Sequence, residues 1–62
     1  MNRIYQSGQL VTVRSAAGEL QRIVVKDMGE IVLICRPEEY ELARSENRSP
    51  TSVGFKKGDI VI

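Results

Sequence analysis

The stretch Leu20-Gln21-Arg22-Ile23-Val24-Val25-Lys26-Asp27-Met28-Gly29-Glu30-Ile31-Val32-Leu33-Ile34-Cys35 decides the fold. Two β-rich apolar runs, 20–26 and 30–35, flank Asp27-Met28-Gly29. Three-residue hairpin loops commonly pair a type I turn with a glycine in a bulge, and Gly29 stands in that position. The stretch is therefore predicted to be a β-hairpin. Ile23-Val24-Val25 and Ile31-Val32-Leu33-Ile34 lose strict apolar-polar alternation, which marks central strands with both faces covered. The cover is a helix, a curled wall of the same sheet or another subunit.

On the N-terminal side, Gln9-Leu10-Val11-Thr12-Val13-Arg14 reads as a further strand. Val11 and Val13 share the face expected to meet the core, and Leu10, Thr12 and Arg14 share the other. Ser15-Ala16-Ala17-Gly18 turns this strand into the hairpin, with Gly18 supplying a left-handed backbone conformation. Residues 1–8 carry only Ile4 and Tyr5 as large apolar groups after Met1, and they are expected to trail as an arm or to pack loosely against the first strand.

On the C-terminal side the pattern changes at Arg36-Pro37. Proline at the first helical position, Glu38 and Glu39 in the first turn, and Arg44 and Arg48 toward the end suit a helix dipole, so a short helix is predicted over 37–46. Tyr40 and Leu42 lie about 200° apart on a helical wheel, so this helix reads as a lid and not as a core element. Asn47-Arg48-Ser49-Pro50 ends it. Thr51 to Phe55 reads as a fourth strand, Lys56-Lys57-Gly58 as a turn, and Asp59 to Ile62 as a fifth strand, because three β-branched apolar residues would otherwise stand as an exposed edge. Residues 1–62 thus form a single small, mainly β domain. About five short antiparallel strands curl toward a small barrel, with one short helix between strands 3 and 4.

The segments Val11-Thr12-Val13-Arg14, Arg36-Pro37-Glu38-Glu39-Tyr40 and Ser52-Val53-Gly54-Phe55-Lys56-Lys57-Gly58-Asp59 resemble a group of short bacterial proteins. The order of strands and turns is also similar to SH3-like barrels, in which a lysine-glycine-aspartate turn often leads into a strand. That resemblance implies an SH3-like barrel and nucleic-acid, ribosome or protein binding. The predicted helix departs from it, being longer than the single turn usual before the last strand of such barrels.

Composition narrows the function classes. A chain of 62 residues buries only about 60% of the surface its unfolded form exposes. Domains this small are usually helped by a staple, a metal or a partner chain. Cys35 is the single cysteine and there is no histidine, so an internal disulfide and the common zinc ligand sets are out of reach. Association with a second copy is the remaining device. Nine Lys and Arg balance eight Asp and Glu, leaving no global field toward nucleic acid or membrane. No run approaches the ~18 consecutive apolar residues of a membrane span, and residues 1–10 lack the apolar core of a signal peptide. A cytoplasmic location is expected, and one unpaired cysteine fits a reducing compartment.

Few residues invite chemistry. Cys35 is the only soft nucleophile, but a cysteine closing an apolar strand reads as a small buried hydrophobe. Glu38, Glu39, Glu41 and Glu46 read as a solvated helix face, without the Asp/Asn rhythm of a calcium loop. Gly8, Gly18, Gly29, Gly54 and Gly58 are too widely spaced for a phosphate loop, and Gly54 marks a bulge or a close backbone approach within its strand. Phe55 reads as a core plug. No catalytic, cofactor-binding or metal residue is singled out. The function expected is that of a small non-enzymatic binding module, self-associating or bound to a protein partner. The alternative is a nucleic-acid-binding barrel using Arg14, Arg22, Lys26, Lys56 and Lys57, with Tyr5 or Phe55 for stacking.

Overall fold

The structure, a computed structural model, describes residues 3–61. Strands β1 (Leu10–Ser15), β2 (Gly18–Asp27), β3 (Ile31–Cys35) and β4 (Val53–Lys56) form one antiparallel sheet in the order β1-β2-β3-β4. Helix α1 (Pro37–Ser45) lies between β3 and β4 in the chain, and a 3-10 turn (Lys57–Asp59) comes after β4. Both hairpin turns place a glycine where the backbone needs one, with φ +103° at Gly18 and +104° at Gly29. In the second turn the Gly29 N–H also donates to Asp27 Oδ1 at 2.9 Å, and the Met28 N–H donates to the Ile31 carbonyl at 2.8 Å.

Directly opposed residues of an antiparallel pair share a face, so the register assigns the two sides of the sheet. Val11 opposes Arg22, Val13 opposes Leu20, Val24 opposes Ile34, and Asp27 opposes Val32. Ile34 and Val32 in turn oppose Val53 and Phe55. That face holds the core, where Val11, Val13, Val24, Val32 and Ile34 cluster with Tyr5 and Ile60, and Leu20 and Phe55 pack against them. Each fully buried valine or isoleucine contributes ~1.5–3 kcal/mol, so this cluster dominates the stability of the domain.

The broken alternation of β2 has a backbone cause. The register shifts between Val24 and Lys26 and leaves Val25 without a partner on β3, a β-bulge. Had Val25 paired with Leu33, Lys26 would fall opposite Val32 on the core face. The bulge instead sets Lys26 opposite Leu33 and Asp27 opposite Val32.

Helix α1 keeps the predicted polarity, with Pro37 at its start, Glu38 and Glu39 in the first turn and Arg44 in the last. It ends at Ser45, one residue earlier than predicted. Asn47 adopts φ +55°, and the amides of Asn47 and Arg48 donate to the carbonyls of Arg44 and Ala43 at 3.2 and 3.0 Å. This is a Schellman closure with asparagine in the left-handed position. The helix buries only Ala43 and packs against β2.

Two expectations are corrected. Residues 3–8 do not trail, because Tyr5 is only 5% exposed and belongs to the core cluster. Its amide donates to Asp27 Oδ2 at 2.9 Å, and the Gly8 amide donates to the Val24 carbonyl at 2.7 Å. Met1 and Asn2 lie outside the described residues. Nor does the segment from Asp59 form a fifth strand. The Lys57 side chain is held by Asp27 and by the Arg3 carbonyl, and the Ile60 amide returns to the Lys57 carbonyl at 3.0 Å, winding the chain into a helical turn. Past this turn the chain makes one antiparallel bridge, Val13 with Ile60, and one further bond from the Val61 amide to the Thr12 carbonyl at 2.8 Å. Ile62 lies outside the described residues. Among the described residues the sheet is an open one of four strands, where about five, curled toward a small barrel, are expected from sequence.

Candidate functional site

The two edges of the sheet differ. The outer edge of β1 is covered by Ile60 and Val61. On β4, among the described residues, only the β3 side is paired, and its other side is open. β4 holds its place partly through Gly54, whose position lies so close to the Ile31 side chain that a Cβ there would stand 2.9 Å from Ile31 Cγ2. The expected close approach at Gly54 is therefore present.

At the start of β4, Val53 lines a groove of about 490 Å3 that β2, β3 and α1 also border. Ile34 and Val53, opposed on β3 and β4, form its apolar floor with Leu42 of α1. Val53 is 61% exposed and Leu42 48%. Arg22 enters from β2, and Arg36 from the residue that precedes the helix. Glu38, Glu39 and Thr51 complete the rim, and Cys35 lies at the base.

Glu39 is not the solvated helix charge expected from sequence. Arg48 Nη1 donates to its Oε2 at 2.7 Å, and the Thr51 amide donates to the same oxygen at 2.9 Å. Arg48 Nε also reaches Glu46 at 2.6 Å. The Arg48 guanidinium first, and then the Thr51 amide, hold the Glu39 carboxyl below its ordinary range. These bonds fasten the segment after α1 onto the first turn of the helix and so fix the start of β4 against the groove.

Cys35 is buried, with 5% exposure, and carries no disulfide. Burial, with the Glu39 carboxylate adding to it, pushes its thiol above the ordinary value against the opposing pull of Arg22. A thiol raised in this way is a weaker source of thiolate at neutral pH.

The cations named from sequence do not gather in one place. Arg14 stands opposite Glu19 on the first hairpin, Lys26 opposite Leu33, and Lys56 opposite Ile31. These three share the face away from the core, whereas Arg22 lies on the core face opposite Val11. Lys57 is engaged with Asp27 at 3.0 Å and stands 5.8 Å from the centre of the Tyr5 ring. Tyr5 is buried and Phe55 packs on the core. Among the described residues, no cluster of three His, Cys, Asp or Glu side chains is placed to hold a metal ion. Likewise, no helix among them is long and apolar enough to cross a membrane.

Arg36, Leu42 and Val53 have no sequence signature as a site. Only the β2-β3-β4 register and the return of the chain after α1 bring them beside Arg22. Comparison with protein-family models, with curated proteins and with solved structures finds no match to this chain.

Proposed function

We propose that this protein is a small interaction module, without catalytic machinery of its own, that receives an extended segment of a partner protein along the open side of β4. The observation that carries the reading is the asymmetry of the sheet edges, one met by Ile60 and Val61 at Val13 and Thr12, the other unpaired among the described residues and starting at Val53 in a largely apolar groove. A segment added to a sheet edge gains main-chain hydrogen bonds, while alternate side chains enter neighbouring pockets. Here the exposed Val53 and Leu42 offer such a surface. The bridge from Ile60 back to Val13 supports a sheet curled in the manner of an SH3-like barrel, with β4 as its remaining open side.

The test is selection of peptides from a displayed random library against the wild-type protein and Val53→Gln, which replaces apolar surface in the groove with an uncharged polar group. Peptides enriched on the wild type are expected to bind the variant about tenfold more weakly, with its circular dichroism unchanged. Equal enrichment on both proteins would overturn the reading. A second copy pairing through β4 is the competing occupant, and solution mass across a concentration range separates the two.

A nucleic-acid-binding role is the second reading, supported by the shared outer face of Arg14, Lys26 and Lys56. It requires binding to short single-stranded RNA or DNA that weakens steeply with salt. No binding at low salt removes it.

A further inference from the structure

We infer that the groove reads a carboxylate on the docked segment, with Arg22 and Arg36 as its two cationic contacts, an inference that rests on the proposal that β4 is the docking edge. Arg22 is the unusual group. It projects on the core face opposite Val11, is half-buried, and among the described residues its one side-chain hydrogen bond runs from Nη1 to the Gln21 carbonyl at 2.7 Å. A guanidinium has five N–H donors in a planar fork, and a charge taken partly out of water is costly without a partner of opposite sign. No carboxylate lies within ion-pair distance of Arg22 or Arg36 among the described residues.

The acids nearby do not supply the missing partner. Glu39 is committed to Arg48 and to the Thr51 amide. Glu38, at the rim, pairs with neither arginine. Arg36 is exposed, and although it is the N-cap residue of α1, its side chain makes no capping hydrogen bond and is available to swing toward a ligand. Two cations therefore face a groove whose floor is Ile34, Leu42 and Val53. The chemistry that satisfies both parts is an aspartate or glutamate with an apolar neighbour, carried on an extended chain. Arginine forks match carboxylates in a bidentate manner, which would fix the register of the segment along β4. The volume of about 490 Å3 falls within the range of clefts that hold ligand groups.

The experiment uses the same displayed library on four full-length proteins: wild type, the double variant Arg22→Gln with Arg36→Gln, the double variant Arg22→Lys with Arg36→Lys, and Val53→Gln. Circular dichroism and thermal melting check that each is folded. Wild-type selections are expected to enrich an acidic residue at one position next to an apolar one. The glutamine variant is expected to lose that preference, with an individual acidic peptide binding about fivefold more weakly, as a partly exposed charge pair would give. Apolar extended peptides should still bind it. The lysine variant should retain part of the preference, because charge remains while the fork is lost. Absence of acidic enrichment on the wild type, or its full retention on the glutamine variant, overturns the inference and leaves the β4 edge standing. Binding that ignores Val53→Gln, or no enrichment on any of the proteins, instead overturns the docking edge itself.

Discussion

The Asp27 carboxylate and the Lys57 ammonium stand 3.0 Å apart and join the end of β2 to the turn after β4. The same carboxylate accepts the Tyr5 amide and the Gly29 amide, each at 2.9 Å. One side chain thus ties together the N-terminal segment, the second hairpin turn and the last helical turn. The amides of Tyr5 and Gly29 and the Lys57 side chain lower the Asp27 pKa from 3.8 to about 2.

That shift has a definite sign. A carboxylate whose folded-state pKa is depressed contributes stability that is fully present above its unfolded value and is lost as pH falls through the folded value. Stability is therefore expected to drop between about pH 4 and pH 2. Glu39, also depressed, contributes to the same acid limb. Asp27→Asn is expected to melt at a lower temperature at neutral pH and to show a shallower loss in acid. Thermal melts of both proteins across the acid-to-neutral range check this, and parallel acid limbs would contradict it.

Gly54 is predicted to resist substitution. An alanine Cβ would stand 2.9 Å from Ile31 Cγ2, so Gly54→Ala should lower stability by about 1–3 kcal/mol through overpacking. Urea unfolding measures the difference. A companion Ile31→Ala substitution should recover part of the loss, because it removes the clashing methyl group.

The end of α1 makes a separate prediction. Asn47 occupies the left-handed region with φ +55°, where a side chain with a Cβ is strained by roughly 1–2 kcal/mol and asparagine is better tolerated than most. Asn47→Gly should leave stability unchanged or raise it slightly, and Asn47→Val should lower it by about 1–2 kcal/mol. The melting order glycine, asparagine, valine is the expected outcome.

Cys35 should behave as an interior thiol. Its burial and raised pKa predict slow alkylation of the folded protein at neutral pH and rapid alkylation after denaturation. Fast labelling of the folded state would show a reactive thiolate there.

The legible parts of this fold are those with local causes. Gly18 and Gly29 announce their turns because positive φ is a property of single residues, and Pro37 with its acidic neighbours announces α1 for the same reason. The bulge at Val25 shows in the sequence only as broken alternation, which a strand covered on both faces also produces, yet it decides that Asp27 rather than Lys26 opposes Val32. Tyr5 reads as arm because its partners, Asp27 and the core, are distant in sequence. The expected fifth strand fails for a similar reason, as the side-chain bonds of Lys57 to Asp27 and Arg3 accompany a helical turn that no local pattern signals. In the candidate site, Arg22 can be named from its sequence, but its role depends on register. Glu39 reads as one of several helix carboxylates, and only the return of Arg48 and Thr51 sets it apart.

The measurement that bears most directly on the docking edge is backbone amide hydrogen exchange of the protein alone and with a peptide selected on the wild type. Slower exchange confined to amides of Val53–Lys56 is the expected result. Protection that arises instead along β1 or at the first hairpin turn, with β4 amides unchanged, would contradict β4 as the site where a partner binds.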